Sequence, residues 1–281
     1  MANILAFGTG KGGVGKTTLA VNVADLAAAR GKRTLLVDMD SQADAALALG
    51  VDTDDGGWAH LALLKGQEFN PVTEVRPGLD LLPAGEDTDT LSDVLTRAES
   101  KHGPEALANL RRVWTDAFAP YDLVVVDTPP ARQSRTLTDA VLQSSDYLVL
   151  PTRTDIKSIR AIQTLAGRYV ALRRQGLVSQ LTIAGVVLFA TGSAATSIRA
   201  DTRMSLEEAL GSAVTVFEST IRATEKADRD AGLDGVTVRE YAEAALGAGE
   251  DGRSYSRTAP GLFEDYERLL VELADKMEMA L

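Results

Sequence analysis

The chain contains no cysteine, only two histidines, and few aromatic residues, 5% of the total. Without thiols there are no disulfides, thiolate-held metals or iron–sulfur ligands, and the composition suits a reducing compartment. His60 stands alone and His102 sits in a polar turn before Gly103-Pro104, so neither has a second ligand at metal spacing. No uninterrupted apolar run approaches the roughly 20 residues of a membrane span. The N-terminus enters an apolar segment at once, with no basic and apolar leader, and this predicts a cytoplasmic protein. Cations are outnumbered, 29 Lys and Arg against 40 Asp and Glu, giving a formal net charge of -11. That balance argues against a broadly basic nucleic-acid coat but leaves room for a local basic patch.

The strongest signal lies near the start. The run Ile4-Leu5-Ala6-Phe7 leads into Gly10-Lys11-Gly12-Gly13-Val14-Gly15-Lys16-Thr17-Thr18, followed by the apolar segment Leu19-Ala20-Val21-Asn22-Val23-Ala24. Strand, glycine-rich loop and helix in that order meet the phosphate-loop pattern G-x-x-x-x-G-K-[ST]. Glycines let successive backbone N–H groups face inward, and the helix dipole points its positive end at the same anion. In such a loop Lys16 reaches the β- and γ-phosphates and the Thr17 hydroxyl ligates Mg²⁺. Gly10-x-Gly12-x-x-Gly15 also fits a dinucleotide fingerprint, with Asp38 as the ribose acid. Lys16-Thr17 decides for the phosphate loop, because a dinucleotide site has no use for a lysine and hydroxyl there.

Two further strands end in acids. Thr34-Leu35-Leu36-Val37 is apolar throughout, as buried parallel strands are, and delivers Asp38 and Asp40 at its carboxyl end. Tyr121-Asp122-Leu123-Val124-Val125-Val126-Asp127-Thr128-Pro129-Pro130 ends in an acid and two prolines that forbid its continuation. This is a Walker B arrangement, in which Asp127 accepts a hydrogen bond from a Mg²⁺-bound water or from Thr17.

With Lys11 ahead of Lys16, the loop resembles that of the ParA/MinD family of deviant Walker ATPases, K-G-G-x-G-K-[ST]. Asp38-Met39-Asp40-Ser41-Gln42-Ala43-Asp44 is similar to the family's D-x-D-P-Q-G-N at Asp40 and Gln42, and Asp127-Thr128-Pro129-Pro130 to its D-x-P-P. The resemblance implies a P-loop NTPase fold, a mostly parallel twisted sheet with helices on both faces. It implies ATP and Mg²⁺ as cofactors, and a homodimer closing face to face around ATP. Lys11 would be donated to the partner's nucleotide, and Asp40 would orient the attacking water. The family holds adenine after its last strand, in a segment often reading I-P-R-N; here Ile221-Arg222-Ala223-Thr224 takes that place, naming Arg222 and Thr224 as its base contacts.

By the same resemblance a ParA-type protein binds DNA without sequence preference and positions a plasmid, chromosome region or protein cargo, on the nucleoid and with a ParB-like adaptor stimulating slow hydrolysis. Arg199, Arg203, Arg222, Lys226 and Arg229 form the candidate basic cluster.

The rest of the chain reads as one domain, 1–281, with helices expected at 16–30, 58–64, 88–99, 104–117, 156–174 and 195–210 and strands at 79–83, 146–151, 181–189 and 213–217. Residues 52–57 and 247–257 read as polar, glycine-rich loops, and 131–135 as a second switch segment. A last helix over about 261–279 is rich in Glu and Asp, so it is expected to pack on the domain. That tail disfavours a MinD-like membrane-bound positioning ATPase. The lack of cysteine disfavours relatives of the nitrogenase iron protein and metal carriers. A P-loop small-molecule ligase of the dethiobiotin synthetase type stays open as the alternative.

Overall fold

The computed structural model describes residues 2–52, 60–61, 64–67, 70–85, 87–131, 134–192, 196–210, 214–247 and 254–281. Alternation of buried residues along the strands sets the architecture. In β1 (Asn3–Phe7), Leu5 and Phe7 face one core while Ile4 and Ala6 face the other. β5 (Leu123–Asp127) repeats the division, with Leu123 and Val125 on the first side and Val124 and Val126 on the second. Strands buried on both faces need helices above and below, and the chain supplies them.

With β2 (Thr34–Asp38), β3 (Val72–Arg76), β4 (Leu79–Leu82), β6 (Tyr147–Thr152), β7 (Thr182–Thr191) and β8 (Val216–Arg222), they form one eight-stranded sheet in the order β3-β4-β2-β5-β1-β6-β7-β8. All neighbours run parallel except the edge pair β3 and β4. Strand order reverses at β1, so the crevice at its carboxyl end is where such sheets place ligands.

On the first face α1 (Lys16–Ala29), α9 (Val238–Leu246) and α10 (Ala259–Lys276) pack through Leu19, Val23, Tyr241, Leu262, Tyr266 and Leu269. On the second, α3 (Asp87–His102), α4 (Asn109–Ala117), α5 (Arg135–Ser144) and α6 (Ile156–Arg174) bury Leu91, Trp114, Val141, Ile162 and Leu165. Each such aliphatic side chain contributes roughly 1.5–3 kcal/mol relative to exposure. The remaining helices are α2 (Asp44–Ala48), α7 (Thr196–Leu210) and α8 (Glu225–Asp234).

Several expectations shift. The last strand runs over Val216–Arg222 and not 213–217, so Ile221 and Arg222 belong to it and not to a loop beyond it. The helix expected at 88–99 extends over Asp87–His102, and 104–117 divides into a 3-10 turn, Pro104–Ala108, and α4. The final helix begins at Ala259 and ends at Lys276. β3, α8 and α9 had no expectation in the sequence. Most of 52–57 and 58–64, with Arg132 and Gln133 and the centre of 247–257, lie outside the described residues. Among the described residues no helix is long and apolar enough to cross a membrane.

Candidate functional site

The glycine-rich loop leaves β1 and turns into α1 through Gly15, which has φ +84° and serves as the residue before the helix. A Cβ at Gly15 would lie 2.4 Å from the Phe189 ring of β7, so glycine is required both by the left-handed backbone and by close approach. Gly13 also has a positive φ, +72°, with open space around it. Val14 is buried, anchoring the loop between exposed Gly13 and half-buried Gly15. Behind the loop, Gly8 N–H donates to the Val149 carbonyl at 3.0 Å and the Thr128 hydroxyl to that of Phe7 at 2.8 Å. The cradle is thereby tied to β5 and β6 on both sides. Lys16 is almost fully buried, 6% exposed, at the start of α1.

Three acids converge there from the ends of two strands, Asp127 from β5 and Asp38 and Asp40 from β2. Thr17 Oγ1 donates to Asp127 Oδ2 at 2.5 Å, while Asp127 Oδ1 is buried without a partner among the described residues. Burial pushes the Asp127 carboxyl up to about 7, against the pull of Lys16 and the Thr17 hydroxyl. Asp38, opposite it in register, is also raised well above the ordinary carboxylate range, first by burial and then by the Asp127 charge. Asp38 accepts from the N–H of Asp40 at 2.9 Å and of Ala45 at 3.2 Å, so it shapes the loop into α2. Asp40 stands further out, half-buried, where its Oδ1 accepts from the Gln42 N–H at 3.3 Å. Its charge acts on both Asp127 and Asp44, which places it at the same crevice.

This donor set fits a divalent cation of the Mg²⁺ kind. A hydroxyl and one buried carboxylate oxygen with no partner match an ion that keeps several waters and borrows phosphate oxygens. Among the described residues no three His, Cys, Asp or Glu side chains gather to hold a metal by themselves.

Lys11 has an in-cis partner that the sequence did not reveal. Its Nζ lies 3.3 Å from Asp155 Oδ1 and 3.1 Å from Ser158 Oγ, at the start of α6. Asp155 caps that helix, accepting from the Ser158 N–H at 3.0 Å and its hydroxyl at 2.6 Å. The Ser158 hydroxyl, helped by Lys11, draws the Asp155 carboxyl down to about 2. Both side chains of the pair are more than a third exposed, so the pair is worth only about 0–1 kcal/mol. The helix over 156–174 was expected from the sequence; its Asp155 cap and the contact with Lys11 were not.

The segment expected at the base is put to another use in part. Arg222 Nε and Nη2 meet Asp265 of α10 at 2.6 and 2.9 Å, and its N–H donates to the same carboxylate. Arg222 is thus a packing contact between β8 and α10, its guanidinium engaged by Asp265 and not held free for a base. Thr224, 5% exposed, sits against the Asp228 carboxyl, which burial raises and the Thr224 N–H and hydroxyl partly hold down.

The basic cluster is also dispersed. Arg203 donates to the carbonyls of Val216 and Phe217 on the edge strand, and Lys226 binds Asp230 at 2.5 Å and the Ser254 carbonyl. His60 is buried and held neutral, its pKa pushed down to about 4 by desolvation despite the carbonyls of Asp38 and Pro83.

Comparison with known proteins converges on this geometry. A family model described as an AAA domain matches residues 2–183. The chromosome-partitioning ATPase Soj of Thermus thermophilus is 34% identical over 66% of this chain and 68% of its own length. That of Treponema pallidum is 28% identical over 92% of this chain and 96% of its own. Among solved structures, Cyanothece McdA in complex with ATP superposes with a TM-score of 0.79 at 17% identity, over 100% of this chain and 98% of that one. By the family model over residues 2–183 and these relatives, the chain belongs to the ParA/Soj family of partition ATPases.

Proposed function

We propose that the chain is an ATP-driven positioning switch that forms an ATP-dependent sandwich dimer. The observation that carries this reading is the Thr17–Asp127 pair with its unpartnered Oδ1, beside buried Lys16 and half-buried Asp40. The inward N–H groups of residues 10–18 and the Lys16 ammonium bind the triphosphate. Thr17 and Asp127 would hold Mg²⁺, which would supply charge neutralisation to the triphosphate. Asp40 positions the attacking water at the open side of the crevice. Lys11 leaves its weak pair with Asp155 and is donated across the dimer to the other nucleotide. There it stabilises charge that develops only when two protomers have closed. Thr224 and backbone groups take the adenine.

In this reading the dimer holds non-specific DNA and positions a plasmid, chromosome or protein cargo, and an adaptor protein speeds hydrolysis to release it. DNA contact is assigned to cations around α7 and α8, of which Arg203, Arg222 and Lys226 are already engaged within the fold. Retention is therefore expected to be weak and steeply salt-dependent.

The test combines three variants. Lys16→Ala should weaken a fluorescent ATP analogue roughly hundredfold, since charge-assisted phosphate contacts are worth about 1.5–3 kcal/mol each. Asp40→Ala should accumulate an ATP-bound dimer with little phosphate release, seen by light scattering. Lys11→Ala should bind nucleotide as a monomer and fail to dimerise. A small-molecule ligase would show neither the nucleotide-dependent dimer nor DNA retention, and that result would refute the switch.

A further inference from the structure

Two helices that start beside candidate site residues meet again where they end. α2 follows the loop of Asp38 and Asp40, and α8 follows Thr224. Each is terminated by a glycine in the left-handed region, Gly50 and Gly235, both at φ +63°. The two glycines touch: a Cβ on Gly235 would lie 2.5 Å from the Gly50 Cα, closer than a side chain there could come.

One side chain closes this joint. Arg76, the last residue of β3, donates from Nη2 to the Leu49 carbonyl at the end of α2, 3.2 Å away, and to the Gly235 carbonyl at the end of α8, 2.9 Å away. Its Nε donates to Glu240 Oε1 at 2.6 Å. The other oxygen of Glu240 accepts from the Thr237 N–H at 2.9 Å, completing the capping box of α9. From there the network reaches α1. The Thr237 hydroxyl and Arg239 bind Asp25, and the Val238 N–H donates to the Asn22 side chain at 2.7 Å. A half-buried guanidinium therefore ties together α1, which begins at Lys16 and Thr17, α2 behind Asp40, and α8 behind Thr224.

Hydrolysis needs Asp40 at a fixed place relative to a phosphate held by the loop and α1. The carboxylate of Asp40 is held only locally, by the Gln42 N–H, and α2 has five residues, too few to be stable alone. Its position is set by what holds its ends. At the start the Ala45 N–H donates to Asp38, and at the finish the Leu49 carbonyl accepts from Arg76. Core packing of Ala45, Ala46 and Leu49 adds stability, but apolar contact is not directional. We propose that Arg76 is a positioning residue for hydrolysis, setting the Asp40 loop against the phosphate loop and the Thr224 segment through α2 and α8. The inference rests on the role given above to Asp40. Arginine suits the task because its planar fork serves two carbonyls and a carboxylate together, whereas a lysine keeps the charge beside Glu240 without the fork.

Single-turnover phosphate release from ATP and Mg²⁺ tests the proposal, with active sites counted by a fluorescent ATP analogue and the dimer confirmed by light scattering. Arg76→Lys should bind the analogue within about twofold of wild type yet release phosphate roughly tenfold more slowly, since a misplacement of about 1 Å can cost on the order of a hundredfold. Gly235→Ala strains the same joint without changing any charge and should slow release to a similar degree. The double variant Arg76→Lys/Gly235→Ala should be no slower than the slower single variant, because both act through one contact. A purely structural role would lower the urea midpoint and the active fraction but leave the rate per active site unchanged, and that result would overturn the proposal. So would analogue affinity falling as far as the rate, or rate losses that multiply in the double variant. Asp40→Ala separates the two levels. If it abolishes release while Arg76→Lys keeps the wild-type rate, Asp40 retains its role and the joint does not. If Asp40→Ala itself releases phosphate at the wild-type rate, both readings fall.

Discussion

Asp127 is where stability and function diverge most sharply. Its carboxylate is fully buried opposite Asp38, another buried acid, and only Thr17 satisfies one of its oxygens. Burying like charges in register is unfavourable unless a cation joins them. Asp127→Asn keeps the shape and the acceptor for Thr17 while removing the charge. The nucleotide-free variant should melt a few degrees higher, since 1 kcal/mol moves Tm by about 2–4 °C for chains of 150–250 residues. Magnesium-dependent phosphate release should nevertheless fall at least tenfold, and scanning fluorimetry beside a phosphate assay checks both. His60 gives the opposite case. Burial holds its pKa near 4 in the folded chain, while an unfolded histidine titrates near 6.5. Between those values the unfolded chain takes up a proton that the native state refuses, so stability drops as pH falls through the window. The loss is about 1.4 kcal/mol per unit at most. His60→Leu should therefore show a smaller decline in urea midpoint between pH 6.5 and pH 4.5 than wild type.

Elements differ in how much of their role is local. α6 was legible in its bounds, since the helix expected at 156–174 runs over Ile156–Arg174, but its cap at Asp155 was not read. What the cap does with Lys11, 144 residues away, was not legible, because only the tertiary fold brings them together. Asp155→Asn retains the cap and removes the charge pair. ATP-dependent dimerisation should then begin at up to about thirtyfold lower protein concentration, since each dimer releases two such pairs worth up to about 1 kcal/mol apiece. Light scattering on an Asp40→Ala background would measure it. β8 failed to reveal its length because Glu218-Ser219-Thr220 looks like a polar turn. Glu272 of α10 accepts from the N–H groups of Glu218 and Ser219 at 2.9 and 2.7 Å, covering an edge that would otherwise stay open. β3 escaped notice for a related reason, since Val72, Thr73 and Glu74 are all exposed and show no alternation. Arg222 closes the same seam. Arg222→Ala should cost about 2 kcal/mol in urea denaturation, below the roughly 3–5 of a fully buried pair because its side chain is 37% exposed. Nucleotide affinity should be little changed.

At the scale of the whole molecule, local signals sufficed wherever chemistry demanded fixed spacing, in the phosphate loop and the acid-ending strands, whereas the reversal of strand order at β1 came only with the fold. They said less where the answer lay in tertiary pairing, since three of the five residues of the basic cluster, Arg203, Arg222 and Lys226, are engaged by the chain's own acids and carbonyls. The chain's summed charge makes a prediction about assembly. Two protomers of net charge -11 repel each other before their faces meet. At 10 mM salt that repulsion extends over a Debye length of about 30 Å, and at 150 mM over about 8 Å. The contact between Lys11 and a phosphate forms in a closed interface, where salt screens it far less. Raising salt across that range should therefore tighten the ATP-bound dimer of the Asp40→Ala variant, as sedimentation equilibrium would show. DNA retention by the same dimer depends on displacing counterions and should weaken over the same interval. Opposite salt slopes for the two measurements are the expected result. If dimerisation weakened with salt in parallel with DNA retention, a charge-driven interface would replace the nucleotide-centred one.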